Sequence, residues 1–484
     1  LQIYKDADAI KYAARAVELN PDDAEGHRRL ADMYRSKQDI DRAIIEYKAA
    51  LAKNDRLFIV VFDLAELLLS KGETAEADKL LRRAMRGSPD EELVIRAARI
   101  SLQINAGQNS LESLEQELLP LAISHPGRAS YRRTLVELYG HLTSALAERA
   151  RSGDDAERAK ASAELSRIGA RAVKPLLDAL SEGDASEQHI AVDVLSYVDN
   201  KNAALPLFSF ATGKADPSLR AEAMLACGAL RVPSLLPKFD SLLFPKNADD
   251  ASQEDAILAA ATWAVANLGD GRAEPLLIKS AEQGSPPMRV FAIVGLSRLR
   301  GSKAENRLRT WLKAPEAGYL ARAATALTAS EWGSAGDIER IAKIAEGADP
   351  LPRKMALLAL GRMLRHSNDR ARLVQPIADA LFTERLAVGD ISIDRIARTA
   401  LAEAATSSPS KLSFPRPTDP LDAESFLVSV GFHDLTKKES ADALIAHAET
   451  IRESARTALS YIRSKAEDFG LDAKFFETND IHIH

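Results

Sequence analysis

The chain has a single cysteine and only three tryptophans among its 484 residues. One cysteine excludes a disulfide within the chain, so the protein is not a small cross-linked secreted scaffold, and its composition fits a cytoplasmic location. Cys227 lies in an apolar helical pattern, which predicts a buried hydrophobic residue rather than a reactive thiol. The sequence contains no run of 18 or more apolar residues, so no transmembrane helix and no membrane partner are predicted.

Neither sign of charge dominates the chain. The 64 Lys and Arg residues face 70 Asp and Glu residues, which leaves a net charge of −6. This balance does not favour a non-specific nucleic-acid binder, although a local basic stripe would be compatible with it. A length of 484 residues predicts several domains or a repeat array rather than one compact core.

Motifs that would carry chemistry are missing as well. We find no G-x-x-x-x-G-K-[ST] loop, no H-E-x-x-H, no paired C-x-x-C and no G-x-S-x-G. His482 and His484 would face the same side of a strand, but no third metal ligand accompanies them. The sequence therefore predicts no cofactor and no metal site, and no catalytic residue is assigned within it.

An internal period of 34 residues marks the first part of the chain. Ala9, Ala43 and Ala77 are spaced by 34, as are Ala16, Ala50 and Ala84. Small residues at a fixed period let antiparallel helices pack closely. This part resembles the tetratricopeptide family, whose arrays often bind peptides on a concave face. Arg28 and Arg29 are candidates for contacting an acidic peptide there, and a solvated helix face is the alternative.

A second repeat, with a period near 30, begins after a polar junction around residues 151–158. Its motif is an Ala/Leu-rich helix, a short turn that often contains Gly, and then Pro-Leu-Leu, as at Gly169 with Pro175 and Gly269 with Pro275. Proline suits the first turn of a helix because its missing N–H would be unpaired there. This part resembles short bacterial HEAT repeats.

Two sets of residues recur in the second repeat. Arg289, Arg322 and Arg353 head successive helices and are candidates for binding a phosphate or an acidic protein. The alternative, which the near-balanced charge favours, is that each arginine pairs within the stack. Trp263, Trp311 and Trp332 are predicted to be repeat core rather than a binding cage.

Residues 405–422 contain four prolines and four serines, a composition typical of an extended linker. A helical pattern comes next and leads into the tail, where Ile481 to His484 alternate apolar and polar as in a half-buried strand. The tail contains an "ESA…ALS…RS" helix and a "DFG…FFE…DIHIH" strand. Its motif residues are Glu453, Ser454, Phe475, Phe476, Asp480, His482 and His484.

In this order and spacing, the helix and strand resemble the opening of the Lon-type (S16) serine protease domain. The resemblance implies that a Ser nucleophile and a Lys partner would lie further along a longer natural polypeptide. Lon proteins ordinarily carry an ATPase module before this domain, whereas HEAT-like repeats occupy that place here.

These observations predict an all-α protein that ends in a helix–strand fragment of a protease-like domain. The predicted parts are tetratricopeptide-like repeats at 1–150, HEAT-like repeats at 151–404, a linker at 405–422 and the protease-like region at 423–484. The favoured function is a non-catalytic scaffold of a Lon-like Ser/Lys endopeptidase, which would bind protein or peptide partners. The alternatives are an adaptor whose tail docks onto another protein and, third, a HEAT-type nucleic-acid binder.

Overall fold

The computed structural model describes most of the chain up to residue 432. The described ranges are 6–108, 110–152, 154–246, 254–299, 301–313, 318–364, 370–382, 393–405 and 412–432. Within them the fold is all-α, as predicted: 23 α-helices and short 3-10 turns, without a β-strand. The strand predicted for the tail and all seven motif residues of the tail lie outside the described residues.

The chain divides into two compact units between Asn200 and Lys201. This division lies some way after residue 151, where the repeat pattern changes. Unit 1 contains ten helices, α1 to α10. They are, in order, Asp6–Leu19, Ala24–Ser36, Ile40–Lys53, Phe58–Ser70, Thr74–Gly87, Glu91–Gly107, Leu111–Ser124, Ala129–Ser152, Asp155–Glu182 and Ala185–Tyr197.

The 34-residue period is visible in the helices of unit 1. Helices α2 and α4 begin at residues 24 and 58, and α3 and α5 begin at 40 and 74, so both pairs are 34 residues apart. The turn between paired helices needs a left-handed residue, which is Gln38 (φ 62°) in one hairpin and Gly72 (φ 80°) in the next. Aspartates 39 and 90 accept backbone N–H groups and so begin α3 and α6.

The turn predicted between Gly169 and Pro175 is absent, and that prediction is wrong. Both residues lie inside α9, a continuous helix of 28 residues. Helix α9 packs against α8 and is tied to α7, because Arg171 donates from Nε and Nη2 to the buried Glu115 carboxylate at 2.8 and 2.9 Å. Tyr139 of α8 donates to the same carboxylate at 3.0 Å. This packing keeps the helix continuous despite its proline.

Unit 2 contains thirteen helices, α11 to α23. They are, in order, Ala204–Ala211, Pro217–Ala229, Leu236–Leu243, Asp255–Asn267, Glu274–Gln283, Pro286–Leu299, Ser302–Lys313, Tyr319–Trp332, Ala335–Ala345, Pro350–Met363, Arg370–Phe382, Ile393–Ala405 and Ala423–Phe432. Here the predicted turns are present: Gly269 has φ 64°, and Pro275 and Pro237 stand in the first turns of α15 and α13.

Helices α12, α14, α16, α18, α20 and α22 stack side by side and form one layer of unit 2, which we call the inner layer. Helices α15, α17, α19 and α21 form a second layer behind it. The inner helices approach closely because small residues face each other. A Cβ on Gly228 or Gly295 would overlap Ala264 or Ala266 of the neighbouring helix.

Most inner helices are apolar around their whole circumference. In α14 every residue from Ala259 to Asn267 is buried, and in α20 every residue from Met355 to Met363 is buried. A helix of this kind must be covered on both sides. The second layer covers one side of the inner layer, and residues 412–432 cover much of the other.

Candidate peptide-binding site

Residues 412–422, which we call the strap, lie in an extended conformation across the free side of the inner layer. The strap continues into α23, which packs on α16, α18 and α20. Prolines 415, 417 and 420 favour the extended form, since each fixes its φ angle and lacks an N–H group. We call the covered surface of α12, α14, α16, α18 and α20 the inner groove.

An aromatic cluster holds the middle of the strap. Phe414 stacks on Trp263 of α14, with ring centroids 6.0 Å apart and planes 4° from parallel. Phe414 also meets Phe426 of α23 edge to face at 5.5 Å, and Phe426 meets Phe291 of α16 in the same manner at 4.7 Å. The four rings join the strap, α23 and two inner helices into one packed cluster.

Trp263 also contacts the strap backbone. Its indole Nε1 donates a hydrogen bond to the carbonyl oxygen of Pro415 at 3.0 Å. The side chain is only 2% exposed. A buried indole N–H needs an acceptor, and the strap supplies it.

A cation lies on the Phe414 ring. The guanidinium carbon of Arg298, at the end of α16, is 4.6 Å from the ring centroid. Burial, together with the nearby charge of Arg231, lowers the pKa of Arg298 from its ordinary value. Its Nη1 is buried and has no hydrogen-bond partner among the described residues. The cation–π contact is therefore the main interaction of this end of the guanidinium.

Hydrogen bonds fix the direction of the strap. The Leu412 N–H donates to Glu331 of α18 at 2.9 Å, and Arg416 Nη2 donates to the Glu222 carbonyl oxygen of α12 at 3.4 Å. The strap therefore runs from the later repeats towards the earlier ones. Helix α23 then returns, and Arg362 of α20 donates to the Gly431 carbonyl oxygen at 3.2 Å.

Helix α23 is anchored at both ends of its apolar face. Asp422 accepts the Ser425 N–H at 3.0 Å, and the hydrogen bonds from Ser425 lower the pKa of this carboxyl. Phe426, Leu427 and Val430 are at most 2% exposed against the inner layer. The end of α23, at Phe432, is thus held in place by unit 2.

The sequence did not predict this site. It indicated an extended linker at 405–422, and residues 412–422 are extended, but they are packed rather than free. Trp263 and Trp332 are buried as predicted, whereas Trp311 is partly exposed. The role of Trp263 in holding the strap was missed. The all-round apolar character of α14 and α20 was the available signal, because it requires a second cover over the inner layer.

Arg28 and Arg29 lie on α2 in unit 1. Arg28 pairs with Glu25 and, at 2.9 Å, with Asp32, while Arg29 pairs with Glu25 at 3.3 Å and remains 68% exposed. The hydrogen bond from Arg28 lowers the pKa of Glu25 to about 2. The two predicted cations therefore sit within a local ion-pair network on one helix.

Arg289, Arg322 and Arg353 each occupy the fourth position of an inner helix, and so does Arg220, which the sequence analysis did not single out. Arg220 and Arg289 donate from Nε to the carbonyl oxygens of Ala211 and Gly284, at the ends of the preceding helices, at 2.9 and 2.8 Å. A cation there satisfies free carbonyls and opposes the helix dipole.

The other two arginines behave differently from each other. Arg322 forms an ion pair with Asp349, which begins the next inner helix. Arg353 has a buried Nε without a hydrogen-bond partner among the described residues. No described contact joins any of the three predicted arginines to the strap.

Cys227 is buried, as predicted. Its thiol is 1% exposed and donates to the Ala204 carbonyl oxygen at 3.2 Å. Burial raises the pKa of the thiol to about 12, so it stays protonated at neutral pH. Among the described residues, no helix is long and apolar enough to cross a membrane, and no cluster of three or more metal-binding side chains occurs.

The fold and the site together define a class: an all-α repeat protein whose second unit holds part of its own C-terminal region in a groove. Comparison with known proteins adds a relationship for the tail. The Lon protease (S16) C-terminal proteolytic domain matches residues 443–484. This segment includes all seven motif residues and begins eleven positions after Phe432, the end of α23.

Curated Lon proteases match the same region. Lon protease 1 of Myxococcus xanthus is 58% identical over 36 residues, which are 7% of this chain and 4% of that protein. Lon protease of Aquifex aeolicus is 43% identical over 56 residues, 11% of this chain and 7% of that protein. Lon protease of Chloroflexus aggregans is 58% identical over 36 residues, again 7% and 4%. The chain thus covers only a small part of these relatives.

Proposed function

We propose that this chain is the non-catalytic scaffold of a Lon-like serine protease, which recruits substrates or regulates the protease domain. The observation that carries the proposal is the position of the Lon match. It begins shortly after a helix that unit 2 holds by the aromatic cluster and by Arg362. The repeat array is therefore coupled to the start of the protease-like segment through a packed connection.

The two repeat units would supply the recruiting surfaces. We propose tetratricopeptide-like repeats at 1–150 and HEAT-like repeats at 151–404, with protein or peptide partners on their concave faces. The 34-residue spacing of helices in unit 1 supports the first assignment, and the stacked inner layer of unit 2 supports the second. A cytoplasmic location agrees with the single buried cysteine.

Proteolysis itself belongs to the proposal. A Ser/Lys endopeptidase needs a nucleophile and a base within hydrogen-bond distance, and the family resemblance implies both beyond the motif at 475–484. The described residues would then act before the chemical step. They would bind the substrate and hold the start of the protease-like segment at a fixed place on unit 2.

The test uses the polypeptide purified from its natural source. C-terminal peptide sequencing would establish whether the chain continues beyond His484, and hydrolysis of casein, with and without ATP, would measure activity. The proposal predicts a continuation with a Ser nucleophile and a Lys, together with hydrolysis of casein. A chain that ends near His484 and cleaves nothing would overturn it in favour of a non-enzymatic adaptor.

Recruitment is tested separately in the same polypeptide. Removing residues 1–200 should raise the KM for a protein substrate and leave cleavage of a short fluorogenic peptide unchanged, because only the large substrate would use the repeat surface. The control is the intact polypeptide with both substrates. Equal KM values with and without unit 1 would contradict a recruiting role for that unit.

A further inference from the structure

We infer that the inner groove of unit 2 is a binding site for an extended peptide with an aromatic residue followed by proline and arginine. The strap fills this site within the chain, and a partner protein that presents such a segment binds there in its place. The inference does not depend on the Lon-like activity, because all its contacts lie within unit 2.

The groove recognises one side chain in particular. Phe414 lies against the Trp263 ring and beneath the Arg298 guanidinium, so the slot has a flat aromatic wall and a cationic edge. Such a slot favours an aromatic ring over an aliphatic side chain, since both stacking and the cation–π contact need a π face.

The groove also recognises a backbone conformation. Trp263 donates to the carbonyl oxygen of Pro415, and no described contact uses a backbone N–H between Phe414 and Pro417. Proline costs nothing at positions where the N–H group is not needed, and it reduces the conformational freedom lost on binding. A proline-rich extended segment therefore fits this surface well.

The strap is held loosely enough to be exchanged. Residues 413–416 are only partly buried, and Thr418 and Asp419 are exposed. The Arg416 hydrogen bond is long, at 3.4 Å, and Arg298 Nη1 has no hydrogen-bond partner among the described residues. A ligand that placed a carboxylate or carbonyl oxygen near Arg298 Nη1 would gain a charge-assisted hydrogen bond that the strap lacks.

Attachment favours the strap over a free peptide. A segment tethered by a short linker competes at an effective concentration of about millimolar. A free peptide should therefore bind the intact chain weakly and bind much more tightly once the strap has lost its aromatic anchor. This difference is the signature of a shared site.

The experiment is fluorescence anisotropy with a labelled peptide of residues 410–420, SKLSFPRPTDP, and the full 484-residue chain. We expect saturable binding to the F414A chain, at least about tenfold tighter than to the intact chain because the strap no longer competes. The F414A/W263A chain should bind the peptide at least about tenfold more weakly than F414A, since both the stack and the Pro415 contact are lost. F414L is a second receptor that keeps the apolar volume if F414A does not fold.

Control peptides and the mass of the complex complete the design. The peptide with alanine at position 414 should not bind to F414A. Absence of saturable binding to folded F414A and F414L chains, or equal binding with and without Trp263, would overturn the inference. Light scattering of the intact chain should show a monomer. A dimer that F414A dissociates would assign the groove to the strap of a second copy instead of a partner protein.

Discussion

Trp263 performs two tasks that usually fall to different residues. Its ring fills the inner layer, and its N–H binds the strap. The two tasks are separable by substitution. Phenylalanine keeps an aromatic surface for Phe414 but removes the hydrogen bond to the Pro415 carbonyl oxygen, whereas alanine removes both.

We expect W263F to increase amide hydrogen exchange in residues 412–417 by about fivefold, because one hydrogen bond of about 1 kcal/mol is lost. W263A should increase it much more, since the stacking contact is lost as well. The measurement is hydrogen–deuterium exchange with mass spectrometry at neutral pH. W311F, at a partly exposed tryptophan, is the control and should leave the strap unchanged. Unchanged exchange in both Trp263 variants would contradict the docked strap.

Asp337 gives unit 2 a predictable acid sensitivity. Burial raises the pKa of this carboxyl, but hydrogen bonds from the Ser334 N–H and hydroxyl and from Arg309 outweigh burial and lower it below 3.8. A carboxyl with a lowered folded pKa stabilises the protein above its unfolded pKa. That contribution disappears as the pH falls through the folded value.

We therefore expect D337N to lower the melting temperature at pH 7 by several degrees, corresponding to about 1–3 kcal/mol for a lost charge-assisted contact. The difference from the natural chain should shrink as the pH is lowered below about 4. Circular dichroism melts at pH 7, 5, 4 and 3 measure it. E339Q, at an exposed residue of the same helix, serves as the control. A difference that grows towards low pH would refute the assignment.

At the scale of elements, the inner layer depends on glycine where helices cross. Gly295 lies in α16 against Ala266 of α14, and an added Cβ has no room. We expect G295A to lower the free energy of unfolding of unit 2 by about 1–3 kcal/mol, because the helices must separate. The higher helix propensity of alanine offsets only part of this.

Urea denaturation followed by circular dichroism would measure the effect. G107A is the matched control, since Gly107 ends α6 and a Cβ there meets nothing within 4 Å. That variant should keep or slightly raise the stability. A G295A chain as stable as G107A would show that the inner helices are not tightly packed.

The elements also show how far local sequence determines the fold. The helix period and the turns at Gly72 and Gly269 result from local chemistry, and the structure has them. Gly169 and Pro175 display the same local pattern but lie inside one helix, because Gly169 packs against Val198 of α10 and α9 lies along α8. Tertiary packing overrides the local signal there.

The strap shows the same limit over a longer distance. Its prolines predict an extended conformation, but nothing local indicates that Phe414 meets Trp263, 151 positions earlier in the chain. Such a contact has no period and no fixed spacing. The indirect signal is the excess of apolar residues in α14 and α20, which predicts a cover without naming it.

At the scale of the whole molecule, the two units use different means of cohesion. In unit 1, ion pairs join successive repeats, for example Arg35 with Asp63 at 2.6 Å and Arg83 with Asp55 at 3.2 Å. In unit 2 the inner layer is held mainly by apolar packing, and its cover is the chain's own strap. Partly exposed pairs contribute little individually, so unit 1 relies on their number and on its small interhelical residues.

The docked strap is central to this account, because both the link to the Lon-like segment and the exchangeable groove depend on it. The most direct test places the photo-crosslinking residue benzoyl-phenylalanine at position 414 of the full chain. Irradiation should give a crosslink within one molecule to peptides of α14 or α16, which contain Trp263 and Arg298. A crosslink to another region, or only between two copies, would contradict the docking of the strap in the inner groove.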